Sequence, residues 1–557
     1  MPELTIGLIA VSATMLTLLL MPVAVWMAHA IHAIDQPDAR KVHRQAMPRT
    51  GGLAMALAFG LTAWAFVPLQ QEFLAFLVGM VVIVLTGLAD DVWHIRPWMK
   101  FVGETLAALL FITLSHAMLH DFGNLLGSGT LSLGSLAIPV TVFCMVGVMN
   151  ALNLSDGLDG LAGGISVIVL LFLGLFAVVY HQWLSLAIAA GLFGCLLGFL
   201  CFNTHPARVF MGDTGSLLLG YALSAIVVLL VQRGDGARVA PISMALILAL
   251  PIVDTLLVMA RRIYYGFSPF LPDKTHLHHR LLNLDLPHSA VVPVLYGSIT
   301  LFGLLAVVMR SLPEWLQFLA GILLAAGIYG SVICGQHSGW KWHSRRVRWL
   351  QRAYRNRLYR QMAAWAGKSV PIVTWLLPLA FAVPLLAMLS LPHSVALAGL
   401  LVCAMSALMF PWRASLDRLG LSHGVAYVTI FALLGIYQFY GQGWITRYVA
   451  AVTMVLALWV MLKLVFKRHL RIFLTSGFEL LMIIISWFVP LFLNHAINIS
   501  PTMQQASLVV CLEAIPVLLA LKIIIRKQPR RNRLLAASLI GMLLLVSLPG
   551  VLYGIGH

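Results

Sequence analysis

Runs of about twenty apolar residues follow one another along almost the whole of this chain, with only short polar gaps between them. A bilayer core about 30 Å thick takes roughly 20 residues to cross as a helix, so each run is a candidate span. Backbone polar groups in lipid must be satisfied internally, which leaves helices or closed barrels. Barrel strands are short and alternate in polarity, whereas the stretches from Phe73 to Thr86 and from Val167 to Tyr180 are almost continuously apolar. The expected fold is therefore an all-α polytopic membrane protein. Composition agrees, since 61% of the 557 residues are hydrophobic and 10% are charged, far from any soluble globular domain.

Spans are predicted near residues 4–30, 51–68, 72–89, 101–119, 132–151, 161–180, 183–202, 214–231, 241–260, 291–310 and 315–335. A second series lies near 370–390, 394–411, 423–440, 447–466, 471–493, 505–525 and 534–553. The first run lacks a basic start and is long, so it reads as a retained helix and not as a signal peptide. With the N-terminus outside, the translocated loops hold only Arg233, Arg238, Arg310 and Arg447 of the 36 Lys and Arg residues. The net charge of +17 is thereby concentrated on the inner face, where it suits anionic lipid headgroups and anionic substrates. Nucleic acid is excluded as a partner, because the basic residues sit on short loops beside membrane helices with no reading motif. The six cysteines lie in or beside apolar runs without a CxxC pair, so neither a disulfide framework nor a zinc site is expected from them.

The stretch from Ser338 to Lys368 is strongly basic and aromatic, and reads as an amphipathic surface helix. It divides the chain into a core, 1–335, a linker, 336–369, and a second membrane module, 370–557. The second module carries only Asp417, Glu479 and Glu513 as acids, so carboxylate chemistry belongs to the core.

Four inner junctions of the core carry that chemistry. LTGLADDVWHIRPWMK brings Asp90, Asp91 and Lys100, and adjacent carboxylates at a helix end call for a cation, a proton or a basic partner. NALNLSDGLDGLAGG brings Asn150, Asn153, Asp156 and Asp159, a hard oxygen-rich set suited to Mg²⁺, although a capping role for one Asp is the competing reading. NTHPARVFMGDTGSLLLG places Asp213 at a helix start, where free N–H groups are expected to seat phosphate oxygens; N-capping by Asp213 or Thr214 is the alternative. The loop RRIYYGFSPFLPDKTHLHHRLLNL brings Arg261, Arg262, Lys274, His276, His278, His279 and Arg280. Zinc ligation by the HxHH cluster lacks a fourth ligand, so directional donors to a pyrophosphate are the better reading. Metal-binding carboxylates, basic donors and an apolar surround on one face together describe a phosphoryl-transfer site for a lipid acceptor.

These motifs, with PRTGG at Pro48 to Gly52, resemble in order and content the polyprenyl-phosphate N-acetylhexosamine-1-phosphate transferases, over roughly residues 1–335. The resemblance implies an eleven-helix core in a bacterial inner membrane, with the N-terminus outside and the active site on the cytoplasmic face. It implies transfer of GlcNAc-1-phosphate, or a close N-acetylhexosamine-1-phosphate, from the UDP-sugar to undecaprenyl phosphate. UMP is released and a lipid-linked envelope polysaccharide is begun. DKTHLHHRLL is closer to this branch than to the muramoyl-pentapeptide branch, and a lipid-linked sugar flippase is the rival from another class. By matching position, Asp90, Asp91, Asp156, Asp159 and His278 are the catalytic candidates. Lys100, Asn150, Asn153, His276, His279 and Arg280 would contact substrate, and Asp213 with Asp159 would hold Mg²⁺, for which Mn²⁺ can substitute. How Asp90 and Asp91 divide the handling of lipid phosphate is left open, as is assembly, with a homodimer allowed. Asp254 and Glu104, both within spans, are functional candidates by location, Asp254 having Arg261 or Arg262 as the alternative partner. The second module is expected to serve assembly, docking or handling of the lipid-linked product.

Overall fold

The computed structural model describes residues 3–36, 46–232, 239–268 and 275–341, and further on 357–384, 393–408, 421–440, 443–465 and 501–527, with scattered residues between 481 and 547. The chain divides into two units, residues 1–343 and 344–557.

In the first unit the apolar runs fold as helices α1 (Glu3–Ala30), α2 (Gly51–Phe66), α3 (Gln71–Trp93), α4 (Pro97–Ser115), α5 (Ala137–Ser155), α6 (Leu161–Val179), α7 (Trp183–Asn203) and α8 (Gly212–Gln232). There follow α9 (Pro241–Ile247), α10 (Ala249–Tyr264), the short α11 (Leu277–Asn283), α12 (His288–Val308) and α13 (Glu314–His337). The only strands among the described residues are β1 (Ile34–Asp35) and β2 (Met47–Pro48), paired antiparallel.

Helices that are apolar on every side belong inside a bundle. α6 and α8 are buried over 89% and 94% of their apolar windows and form its centre, whereas α13, at 17%, lies at the edge. Small residues let helices close on one another: a Cβ at Gly194 of α7 would fall 2.1 Å from the Ala10 carbonyl of α1, and one at Gly198 would fall 2.8 Å from that of Thr14. Trp93 and Trp98 are exposed on either side of the α3–α4 turn, as interfacial aromatic anchors are.

Two boundaries differ from the sequence expectation in ways that shape the site. α3 runs on to Trp93 and is stopped by left-handed His94, so Asp90 and Asp91 are helical residues and project from α3 itself. The ninth span is broken, α9 and α10 meeting at 80° around Leu248. Pro251 supplies the cause: it lacks an N–H and its ring conflicts with the carbonyl four residues earlier, that of Ile247, where the first segment ends.

In the second unit the described helices are α14 (Arg357–Ala382), α15 (His393–Leu408), α16 (Leu421–Tyr440), α17 (Gly443–Val465) and α18 (Pro501–Lys527). α14 is already helical at Arg357 and continues through the position expected to begin the second module. Residues 342–356, most of the expected 471–493 span and Glu479 lie outside the described residues. Glu513 is buried in α18, and one of its carboxylate oxygens accepts a 2.7 Å hydrogen bond from Gln438.

Candidate active site

The junctions α3–α4, α5–α6 and α7–α8 meet at one end of the first unit, and their polar side chains converge on Asp213. Lys100 at the start of α4 reaches Asp213 at 3.2 Å and Asp90 at 3.4 Å, bridging α3 and α8. Asn153, in the last turn of α5, donates to Asp213 at 2.5 Å and to Ser216 at 2.8 Å. Asn150, one turn earlier, donates to Glu104 at 2.5 Å, so it orients a fully buried carboxylate of α4 behind the cluster.

The Asp90–Asp91 pair is split in function by the helix that carries it. Asp90 faces Lys100. Asp91, 2% exposed, accepts the N–H of Asp213 at 2.9 Å, the N–H of Thr214 at 2.9 Å and the Thr214 hydroxyl at 2.6 Å. Helix α8 is thus capped by a carboxylate from α3, not by Asp213 or Thr214, and these N–H groups are taken and do not seat phosphate. The same capping fixes Asp213 at the mouth of the cluster.

The glycine motifs serve close approach. Gly51 and Gly52 donate to the carbonyls of Phe210 and Met211 at 3.0 and 2.8 Å, and Phe210 donates to that of Pro48 at 2.8 Å, so PRTGG is stitched to RVFMG. Gly212 has φ +69°, and a Cβ there would fall 2.5 Å from an Asp91 oxygen. Arg49 of the same motif pairs with Asp35.

Asp156 follows α5, half-buried among acids. Burial, with the charges of Asp213, Asp91 and Asp159, pushes its carboxyl up to about 7. Asp159 turns elsewhere: its Oδ2 lies 2.7 Å from His205 Nδ1 and accepts the Ala207 N–H at 3.1 Å. Burial works against its charge, but these hydrogen bonds and the adjacent His288 and His205 outweigh it and hold the carboxyl below its ordinary range.

The histidine loop is divided too. His276 is buried, its Nδ1 2.8 Å from Asp254, which also accepts the Leu277 N–H at 2.9 Å and the Tyr329 hydroxyl at 3.0 Å. Asp254 therefore anchors the histidine loop to α10 and α13. His278 is buried with Nε2 against Gly157 and no hydrogen-bond partner for that atom. Burial, and then the charge of His279, lowers its pKa to about 3, so it enters the site as a neutral ring and not as a cationic donor. His279 and Arg280 are half-buried, and Lys274 lies outside the described residues. Sequence reasoning did not single out His205, Ser216, His288 or Tyr329, since each acquires its partner only through folding.

Beside the histidine loop, between the broken span and helices α12 and α13, lies an apolar cavity of about 720 Å³. Its walls include Leu246, Val253, Phe302, Phe318 and Ile333, and Asp254 and Arg280 border it.

A multi-pass helical protein with a carboxylate, lysine and amide cluster at one end of its helices, and an apolar cavity bordered by its histidine loop, has the makings of an enzyme acting on a membrane-borne substrate. Comparison with known proteins makes the class specific: the chain belongs to glycosyl transferase family 4, whose sequence profile matches residues 73–231. It is 37% identical over 324 residues to a Bacillus subtilis protein described as a probable undecaprenyl-phosphate N-acetylglucosaminyl 1-phosphate transferase, a match covering 57% of this chain and 88% of that one. It is 32% identical over 361 residues to the decaprenyl-phosphate N-acetylglucosaminephosphotransferase of Mycobacterium tuberculosis, covering 59% of this chain and 88% of the relative. Similarity to the undecaprenyl-phosphate alpha-N-acetylglucosaminyl 1-phosphate transferase of Escherichia coli K12 is 28% over 342 residues, 59% of this chain and 91% of the relative.

Proposed function

We propose that the first unit transfers N-acetylglucosamine-1-phosphate from UDP-N-acetylglucosamine to undecaprenyl phosphate and releases UMP, at the cytoplasmic face of a bacterial inner membrane whose far side holds the N-terminus. The observation that carries this reading is the convergence of Asp90, Lys100, Asn153 and Asp213 from four helices. The acids there outnumber the cations, and burial together with the charges of its neighbours raises the Asp156 carboxyl. Such an excess of hard oxygen donors fits Mg²⁺, with Asp213, Asp90 and Asp156 the residues that would hold it. When bound, Mg²⁺ would neutralise the pyrophosphate and raise the electrophilicity of the β-phosphorus.

The chain's own part is positioning and charge. Lys100 receives the acceptor's phosphate, which already carries close to two negative charges near pH 7 and needs no base. One oxygen of that phosphate forms a P–O bond to the β-phosphorus of the donor, in line with the β-phosphorus–oxygen bond to the α-phosphate. As that bond breaks, UMP leaves with the electron pair. Arg280 and His279 offer donors to the pyrophosphate oxygens, while Asp254 holds the loop that presents them. The apolar cavity takes the first isoprene units of the acceptor, whose phosphate is thereby kept at the interface.

The test is UMP release by the purified chain with UDP-N-acetylglucosamine, undecaprenyl phosphate and Mg²⁺. Release that depends on the lipid and falls at least about 100-fold in Asp213→Asn supports the reading. Lipid-independent release, or release unchanged by Asp213→Asn, refutes it.

A further inference from the structure

Asp159, His205 and His288 come from three separate places, the α5–α6 turn, the α7–α8 turn and the start of α12, yet one ligand atom from each lies within 4.8 Å of the others. No other group of three His, Cys, Asp or Glu side chains among the described residues meets this condition. The carboxylate is 2.7 Å from His205 Nδ1, and the two imidazole rings stack with centroids 4.3 Å apart. Nε2 of His288 is buried and has no hydrogen-bond partner. A buried ring nitrogen with nothing to bond is costly unless something else binds it.

We infer that Asp159, His205 and His288 form a binding site for a borderline transition-metal ion of the Zn²⁺ class, separate from the carboxylate cluster around Asp213. Two imidazoles and one carboxylate are a ligand set such ions favour, and Mg²⁺, which prefers oxygen, does not. Three protein ligands leave a coordination position for water or another oxygen donor. Binding of the ion would displace the proton shared by Asp159 and His205, 2.7 Å apart, and leave both atoms to serve as ligands. The neighbourhood is already braced: Gly160 N–H donates to Asn203 at 2.9 Å, and the Tyr296 hydroxyl donates to the Gly160 carbonyl at 2.5 Å. The ion ties together the same three segments, and so fixes the turn that carries Asp156 and Asp159.

The experiment is equilibrium binding of Zn²⁺ to the full-length, chelator-treated chain in detergent under excess Mg²⁺, with Co²⁺ as a spectroscopic probe. It is repeated on His205→Ala, His288→Ala, His279→Ala and Asp213→Asn. The expected result is one tightly held Zn²⁺ per chain and visible Co²⁺ d–d absorption. Affinity should be weakened by more than about 10-fold in His205→Ala and in His288→Ala, the lower end of what loss of a mere supporting partner costs at metal sites. It should be retained in the other two variants. His205 is exposed, so its substitution tests the site even where that of His288 disturbs folding. Binding that survives both His205→Ala and His288→Ala, that is displaced by Mg²⁺, or that is lost in His279→Ala and kept in His288→Ala overturns the inference, as does absence of binding. The readout is independent of sugar transfer, so its failure leaves the proposed activity standing.

Discussion

Asp91 illustrates how far a residue's role depends on where its helix ends. Its two oxygens meet three donors at the head of α8, so it acts as a positioning residue for Asp213. Asp91→Asn turns an amide donor toward one of them. The expected loss is about 1–3 kcal/mol of stability, read by thermal unfolding in detergent, with a fall in UMP release because Asp213 is displaced. Asp91→Asn as stable and as active as the parent would contradict this role. His278 gives a pH prediction. Its folded pKa of about 3 lies below the unfolded value of about 6.5, so the unfolded chain binds the extra proton. Its contribution is full above about 6.5 and is lost as pH falls from there toward 3, on the order of 1 kcal/mol by pH 5.5. The stability lost between pH 7.5 and 5.5, read by unfolding in detergent, should be smaller in His278→Gln than in the parent by about that amount.

At the scale of elements, the contact between the starts of α2 and α8 brings PRTGG to RVFMG. A Cβ at Gly52 would fall 2.1 Å from the Gly215 nitrogen, which is backbone and cannot swing aside. Gly60, on the same helix, meets nothing within 4 Å. Gly52→Ala is expected to cost about 1–3 kcal/mol or more and to disrupt transfer, whereas Gly60→Ala should be neutral or stabilising by about 0.5–1 kcal/mol. Equal unfolding temperatures for the two variants would show that the helices do not meet as described. Motif order foretold that these segments belong to one site. That they hydrogen-bond to each other was not foretold, because about 160 residues separate them and no local pattern marks strand-like pairing between loop ends. The break at Leu248 was missed for a related reason: hydropathy counts apolar residues and is blind to a backbone that turns between them.

At the scale of the whole molecule, every residue placed in the proposed chemistry belongs to the first unit, and the second is a separate unit with few acids. Glu513, buried and bonded to Gln438, is the described carboxylate of that unit. Glu513→Gln should leave the rate of UMP release unchanged while conserving the shape of its site; a substantial loss would assign the second unit a part in catalysis. What the amino-acid order determined by itself was the fold class, the positions of most spans of the first unit, and the family. Hydrophobic length and short motifs are local properties, and a membrane leaves a helix almost no alternative. Only the tertiary structure decided that Asp91 caps α8, that Asp254 holds His276, that Asp159 faces two histidines and that His278 is neutral. Those roles arise from burial and from partners supplied by distant segments, and neither exists until the helices pack.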